Sequence, residues 1–282
     1  LVHEETDSTF MALLAAATTL ALAAAAALVA ATTASAITFG EPDGNRHPNV
    51  GALVADWNEE SPGPDQFCTG TLVSSTLFLT AAHCMTGWGD TPIYVTFSPT
   101  YDEGSASPSG LVPVSSYVIH ENFGQPGGGA DAYDIAIVTL AAPQSATPAQ
   151  LPTLGLLNTY NQQQLRGLTF TAVGYGLTRT SKKTGPHAFA DPEARLVAQQ
   201  SFLSLKPTWL NLSMNPSTGS GGTCYGDSGG PHFLGGMTSN LLVSLTVTGD
   251  AMCRATDLTY RLDTYVAQEF LSRFGLVPDP DA

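Results

Sequence analysis

The stretch Cys-Tyr-Gly-Asp-Ser-Gly-Gly-Pro, which runs from Cys224 to Pro231, says most about the fold of this chain. Upstream of it, Thr-Ala-Ala-His-Cys runs from Thr80 to Cys84, and Asp-Ile-Ala-Ile-Val-Thr-Leu begins at Asp134. A histidine, an aspartate and a serine therefore follow one another in that order. Because these three side chains cooperate on unrelated folds in different chain orders, the order itself points to one fold.

The chain after Ala36 consists of short apolar runs separated by Gly and Pro clusters, which is typical of an all-β barrel or sandwich. Strands are predicted at Val50–Ala55, Phe67–Val73, Leu77–Ala81, Ile93–Phe97, Val112–Ile119, Ile135–Leu140, Leu168–Val173 and Leu241–Thr248. The last element is predicted to be an amphipathic helix with Asp263 as its N-cap and Gly275 as its stop.

The three motifs together resemble the chymotrypsin/trypsin-like serine protease family, from about Ile37 to the C-terminal helix. This resemblance implies an all-β fold of two six-stranded antiparallel barrels with a C-terminal α-helix. It also implies a serine endopeptidase that hydrolyses peptide bonds through an acyl-enzyme and needs no cofactor. The active site would lie in the cleft between the barrels.

The resemblance gives Ser228, His83 and Asp134 the roles of a catalytic triad. A serine hydroxyl is a poor nucleophile and needs a base within hydrogen-bond reach, which His83 would provide. Asp134 would fix the tautomer of that histidine. Asp131 is a rival, but Asp134 directly precedes the apolar run, as the family requires. The backbone amides of Gly226 and Ser228 would form the oxyanion hole.

Other functions share part of this pattern. Gly-Asp-Ser-Gly-Gly also fits the nucleophile elbow of α/β-hydrolases, but that fold needs a histidine well downstream of its serine. The only downstream histidine is His232, four residues away, and strands and helices do not alternate. Two alternatives remain open on the same fold: a catalytically silent binding protein and a serine esterase.

The specificity pocket is assigned through the resemblance. Its floor falls on Gly222, six residues before the nucleophile, and Thr223 follows it. Ser244, Leu245 and Thr246 match the strand that pairs with the substrate backbone. A β-branched Thr246 at the pocket mouth predicts a preference for small or medium apolar residues before the scissile bond.

A second alignment gives a different preference. Anchoring on Tyr260-Arg261-Leu262 places Asp257 on the far wall of the pocket. A carboxylate there would attract Arg or Lys. Both preferences therefore stay open.

Residues 1–36 are predicted to be a leader with a secretory signal peptide, and residues 37–282 to be the protease domain. The run from Met11 to Ala36 is uncharged and ends in Ala-Ser-Ala, a small-x-small pattern. A membrane anchor is the alternative, because the run is long enough to span a bilayer. We expect a secreted, extracellular protein that leaves the membrane after signal cleavage.

Cleavage after Ala36 would also create a new N-terminus at Ile37. The resemblance implies that a buried carboxylate beside the nucleophile, here Asp227, pairs with such a terminal ammonium. Ile-Thr-Phe-Gly at this point departs from the usual Ile-Val-Gly-Gly but keeps the first and fourth residue types. Signal cleavage itself is therefore the predicted activation step.

The chain has four cysteines, an even number that allows two disulfides in three connectivities. The resemblance implies Cys68–Cys84 and Cys224–Cys253. No Cys-x-x-Cys pair or paired histidine spacing is present, so no metal site is expected.

The chain has a net charge of −14, from 10 Lys and Arg against 24 Asp and Glu. A nucleic-acid-binding protein needs a cluster of basic residues, and this composition argues against one. The expected partners are protein or peptide substrates, with protease inhibitors as a further class. We expect a monomer.

Overall fold

The computed structural model describes residues 37–57, 63–101, 110–124, 131–179 and 189–281. The predicted leader, residues 1–36, lies outside them. Within these ranges the chain forms fifteen strands and two α-helices, α1 (Gln162–Arg166) and α2 (Tyr265–Ser272). No helix in the described ranges is long and apolar enough to cross a membrane.

The first half of the chain folds into a closed antiparallel barrel. A short strand, β1 (Glu41–Pro42), precedes it. The barrel strands are β2 (Val50–Ala55), β3 (Asp65–Leu72), β4 (Leu77–Thr80), β5 (Ile93–Thr96), β6 (Val112–Ile119) and β7 (Ala136–Leu140). They close in the order β2-β3-β4-β7-β6-β5. Every residue of β2 is buried, which explains its unbroken apolar sequence.

The second half forms another closed barrel. Its strands are β8 (Thr169–Gly174), β11 (Leu196–Leu205), β12 (Trp209–Ser213), β13 (Pro231–Leu234), β14 (Leu242–Gly249) and β15 (Thr256–Arg261). A small hairpin, β9 (Thr178–Arg179) with β10 (Phe189–Ala190), lies between β8 and β11 in the chain. The barrel closes because β8 pairs with both β11 and β13. The prediction of two six-stranded antiparallel barrels is therefore confirmed.

A buried arginine joins the two barrels. Arg195, just before β11, is fully buried and donates to the carbonyls of Val50 at 3.0 Å and Phe97 at 3.1 Å, both from the first barrel. Its Nε also donates to the carboxylate of Asp43 at 2.9 Å. Burial alone would raise the pKa of Asp43, but His47 and Arg195 together hold it below its usual value. The charge is thus paired where the barrels meet.

The buried residues of α2 join a core cluster that contains residues of both barrels, and Phe270 stacks on His120, just after β6. The helix was predicted, but its N-cap was assigned wrongly. The cap is Thr264, whose side chain accepts a hydrogen bond from the first turn. Asp263 instead accepts from Arg261 on both carboxylate oxygens at 2.9 Å and from the backbone N–H of Leu157 at 2.7 Å. Its carboxylate thus ties β15 to the 3-10 turn at Leu157 and does not cap α2.

Candidate active site

His83 and Asp134 meet because their strands are neighbours. His83 lies in a 3-10 turn that follows β4, and Asp134 lies two residues before β7. The carboxylate of Asp134 lies 2.7 Å from Nδ1 of His83 and accepts the backbone N–H of the same residue at 2.9 Å. Asp134 is buried, whereas the His83 ring is partly exposed. This pairing holds a proton on Nδ1 and leaves Nε2 as the acceptor.

Ser228 belongs to the second barrel but is held against the first. Its carbonyl accepts a hydrogen bond of 2.9 Å from the backbone N–H of Thr69 in β3. The next residue, Gly229, has a φ of +76°, and a Cβ there would lie 2.0 Å from Oγ1 of Thr80. Only glycine lets the nucleophile loop approach the end of β4, from which His83 follows.

The backbone around Gly226 is held in a conformation that favours glycine. Its φ is +92°, and its carbonyl accepts from Nε2 of Gln66 at 2.6 Å and from Oγ1 of Thr69 at 3.1 Å. In the described part of the chain, the N–H groups of Gly226 and Ser228 donate to no protein acceptor. Fixed, unused N–H groups of this kind stabilise a developing oxyanion.

Two disulfides brace these segments, in the pairing that the resemblance implies. Cys68–Cys84 spans 16 residues beside His83. Cys224–Cys253 spans 29 residues and ties the nucleophile loop to the segment after β14. The sulfurs near the His83 ring are thus bonded to each other, so they do not form a metal-ligand set with it.

A cavity of about 270 Å³ opens beside Ser228, and we call it the specificity cavity. It is lined by Thr223, Cys224, Tyr225, Ser228, Thr246, Val247, Thr248, Gly249, Asp250, Ala251 and Cys253.

The family model described as Trypsin matches residues 42–268. This chain belongs to the trypsin family. Brachyurin from Leptuca pugilator is 28% identical over 205 residues, which cover 70% of this chain and 85% of brachyurin. A trypsin from Saccharopolyspora erythraea is 26% identical over 211 residues, covering 74% of this chain and 84% of that trypsin.

A structural comparison supports the fold. The solved structure of HL collagenase matches with a TM-score of 0.62 at 19% identity, and the match covers 86% of this chain and 100% of that one. Trypsin-family membership makes this chain a serine endopeptidase, with proteins or peptides as its substrates.

The structure corrects which segment of this trypsin-family protein lines the specificity cavity. Ser244 and Leu245 are fully buried and do not line it, whereas Val247, Thr248 and Gly249 do. Thr246 also lines it, but not as a residue at the mouth: it is buried, and its Oγ1 lies 2.9 Å from Nε2 of His232. The residues that line the cavity in this strand thus lie up to three positions further along the chain than the sequence analysis placed them.

Gly222 does not line the cavity either. A Cβ on Gly222 would lie 2.4 Å from both Nε2 of Gln200 and Cγ of Met214. These two side chains occupy the space beneath the glycine. The predicted pocket floor is therefore covered, and Thr223 is the residue of this segment that reaches the cavity.

Behind the cavity lies a buried polar network, of which the sequence analysis named Asp257 and Thr223 but not Gln200 or the role of His232. Asp257 is fully buried and accepts from Oγ1 of Thr223 at 2.7 Å and from Nε2 of Gln200 at 2.8 Å. Its other oxygen, Oδ1, has no hydrogen-bond partner in the described part of the chain. His232 lies 2.8 Å from Oε1 of Gln200, and burial lowers its pKa, partly against the influence of Asp257.

Asp227, next to the nucleophile, is a fully buried carboxylate. It accepts the backbone N–H groups of Cys224 at 2.9 Å and Gly176 at 2.8 Å. Burial raises its pKa to about 7. Among the described residues, no Lys, Arg or His side chain pairs with it.

Ile37 is fully buried among apolar side chains of the second barrel. The following residue, Thr38, accepts the backbone N–H of Gly222 at 2.9 Å. Ile37 and Thr38 thus lie against the segment that leads from Gly222 to Ser228.

Proposed function

We propose that this trypsin-family endopeptidase uses Ser228 as nucleophile, His83 as general base and acid, and Asp134 as the orienting carboxylate. The observation that carries the proposal is the 2.7 Å pairing of Asp134 with His83, beside a Ser228 that is hydrogen-bonded to the same barrel. A silent binding protein would not need this arrangement, whereas a serine esterase would need it too and is distinguished by comparing amide with ester substrates.

The chemistry follows from the donors and acceptors. Nε2 of His83 takes the proton of Ser228 as its oxygen bonds to the scissile carbonyl carbon. The carbonyl oxygen becomes negative and is stabilised by the amides of Gly226 and Ser228. His83 then gives the proton to the leaving amine, and the same groups activate water to release the acyl-enzyme.

For the residue before the scissile bond, we propose a small or medium apolar side chain in the specificity cavity. The reason differs from the one drawn from sequence, since Thr246 is not at the mouth. Support comes from the modest volume and from walls in which threonine, valine, glycine and alanine predominate, with Asp257 covered by Thr223. Asp250 also lines the cavity, but its carboxylate accepts backbone N–H groups from Arg254 to Thr256.

A preference for Arg or Lys is the second candidate. The observation that favours it is Oδ1 of Asp257, a buried carboxylate oxygen without a partner in the described part of the chain. A cationic side chain that displaced the Thr223 hydroxyl from Oδ2 and reached both oxygens would pair with this carboxylate.

We also propose that residues 37–282 form a secreted protease that is activated by cleavage between Ala36 and Ile37. The new ammonium of Ile37 would pair with Asp227. The buried Asp227 carboxylate, without a cationic side chain beside it among the described residues, supports this proposal.

The test is cleavage of a mixed peptide library by secreted protein, with Ser228→Ala as the control. Cuts that vanish in the control support the endopeptidase, and the residue before each cut separates the two preferences. If the folded wild-type protein cuts no peptide, the result would instead support the silent binding protein. N-terminal sequencing of the same sample tests Ile37 as the mature first residue.

A further inference from the structure

A second cavity, of about 600 Å³, lies on the other side of Tyr225 from the specificity cavity. Its walls include Trp57, Phe67, Trp88, Leu177 and Tyr225, and we call these five residues the aromatic cleft. Trp57 and Tyr225 are 57% and 54% exposed, which is unusual for side chains of this size. Clustered exposed aromatic surface next to a reaction centre indicates a binding site.

The aromatic cleft is continuous with the proposed reaction centre. Tyr225 lines both cavities, and Gly226 lines the aromatic cleft. A peptide whose residue before the scissile bond fills the specificity cavity presents its carbonyl to Ser228 and Gly226. The residues after that bond then continue past Gly226, on the side where the aromatic cleft opens.

The cleft is built rigidly. The rings of Phe67 and Trp88 contact each other with centroids 4.2 Å apart, and Nε1 of Trp88 donates to the carbonyl of Cys84 at 2.7 Å. Cys68, the neighbour of Phe67, forms the disulfide with Cys84. Because both rings are fixed before substrate arrives, binding there loses little side-chain entropy.

Tyr225 is fixed in the same way. Its hydroxyl donates to the carbonyl of Ala251 at 3.0 Å, and its ring meets Phe189 edge-on. The opposite walls of the cleft are thus preformed aromatic surfaces, which suit another aromatic ring or a large aliphatic side chain.

The charge of the aromatic cleft also limits which substrate side chains it can bind. Asp191 contributes the one carboxylate among the described residues that line this cavity, and it is exposed. A negative charge at this position disfavours an acidic side chain in the cleft.

We propose that the aromatic cleft selects a large apolar side chain, aromatic above all, at one of the first two positions after the scissile bond. This inference rests on the proposed function of Ser228. The enzyme would then select residues both before and after the scissile bond, with Trp88 as a specificity-determining residue.

The test uses internally quenched peptides that share one residue before the scissile bond and carry Phe, Leu, Ala or Asp at each of the two positions after it. We expect kcat/KM to be about tenfold to a hundredfold higher for Phe than for Ala at the selected position. Asp is expected to fall below Ala. In Trp88→Ala the ratio of Phe to Ala falls towards one, and Trp88→Phe restores most of it.

Tyr265→Ala is the matched control, since Tyr265 is 50% exposed but lines a different cavity. It should keep the wild-type ratio. Leu177→Ala replaces Trp88→Ala if the latter fails to fold in a thermal melt. Equal rates for Phe and Ala in the wild type, or an unchanged ratio in the folded cleft variants, would overturn the inference alone. If the wild-type protein cuts no peptide faster than the Ser228→Ala variant does, both the proposed function and this inference are wrong.

Discussion

Oγ1 of Thr223 donates a hydrogen bond of 2.7 Å to Oδ2 of Asp257, so one wall of the specificity cavity covers a buried negative charge. The substrate therefore meets a hydroxyl, and the carboxylate lies one layer behind it. Whether a basic side chain can reach Asp257 depends on whether it displaces the Thr223 hydroxyl.

Replacing Asp257 separates the two proposed preferences. We expect Asp257→Asn to change cleavage after Leu, Val or Ala by less than about threefold, because an amide oxygen still accepts from Thr223 and the cavity keeps its shape. The measurement is kcat/KM on matched peptides that differ before the scissile bond. A hundredfold or larger loss confined to peptides with Arg or Lys would show that the basic preference is the right one.

Asp134→Asn tests the orienting carboxylate. An amide in place of the carboxylate favours the wrong tautomer of His83, so we expect kcat to fall by about 10⁴-fold. Steady-state kinetics on one peptide measure this effect. Asp131→Asn is the matched control, because Asp131 lies three residues away and accepts backbone N–H groups of Gly124 and Tyr133. Comparable losses in both variants would argue against a specific role for Asp134.

The pH dependence of stability tests the state of Asp227. Burial raises its pKa to about 7 when folded, whereas an unfolded Asp titrates near pH 4. The folded protein with the Ala36–Ile37 bond intact then holds a proton that the unfolded chain releases, so stability falls as pH rises from about 4 to about 7. Between pH 5 and pH 8, its free energy of unfolding should drop by roughly 2–3 kcal/mol relative to Asp227→Asn.

Urea unfolding at the two pH values measures this difference. In protein that starts at Ile37, the new ammonium should pair with the Asp227 carboxylate and reduce the pH effect. A difference between wild type and Asp227→Asn that does not change with pH in the uncleaved chain would contradict the raised pKa.

Removing the disulfides should affect catalysis in two different ways. Cys224 and Cys253 both line the specificity cavity, so replacing both by Ala should raise KM more than it lowers kcat. Replacing Cys68 and Cys84 should mainly lower kcat, because Cys84 follows His83 directly. Each change should reduce the free energy of unfolding by about 3–4 kcal/mol. Thermal melts and Michaelis–Menten kinetics provide the readouts, and identical KM and kcat changes in both variants would refute the division.

The sequence predicted the strands of the first barrel well, because Gly and Pro clusters separate their apolar runs. Val50–Ala55 and Val112–Ile119 were predicted at the bounds that the structure has. The predictions missed four of the six strands of the second barrel: β11, β12, β13 and β15. The run of β11, Leu-Val-Ala-Gln-Gln-Ser-Phe-Leu-Ser-Leu, carries several polar residues. One of these, Gln200, is buried because it serves the network behind the specificity cavity, which local hydrophobicity does not reveal.

The cavity residues were harder to predict than the motifs. The register between β14 and β15 shifts between Thr246 and Thr248, and such an irregularity displaces a match of Ser244-Leu245-Thr246 to the family's strand. Thr246 was therefore placed at the mouth, where Gly249 lines the cavity. The motifs around His83, Asp134 and Ser228 did not have this difficulty, because each carries its own local signature.

Because Arg195 lies where the two barrels meet, its position shows how activity can be lost without unfolding. The proposed catalytic groups are divided between the halves, with His83 and Asp134 on one barrel and Ser228 on the other. A change that loosens the junction at Arg195 would shift the serine relative to the histidine while each barrel stays folded, and a misplacement of about 1 Å can lower a rate about 100-fold. The rate of turnover therefore reports the relative position of the two barrels more sensitively than circular dichroism does. A sample can show the native circular dichroism spectrum and still have lost most of its activity.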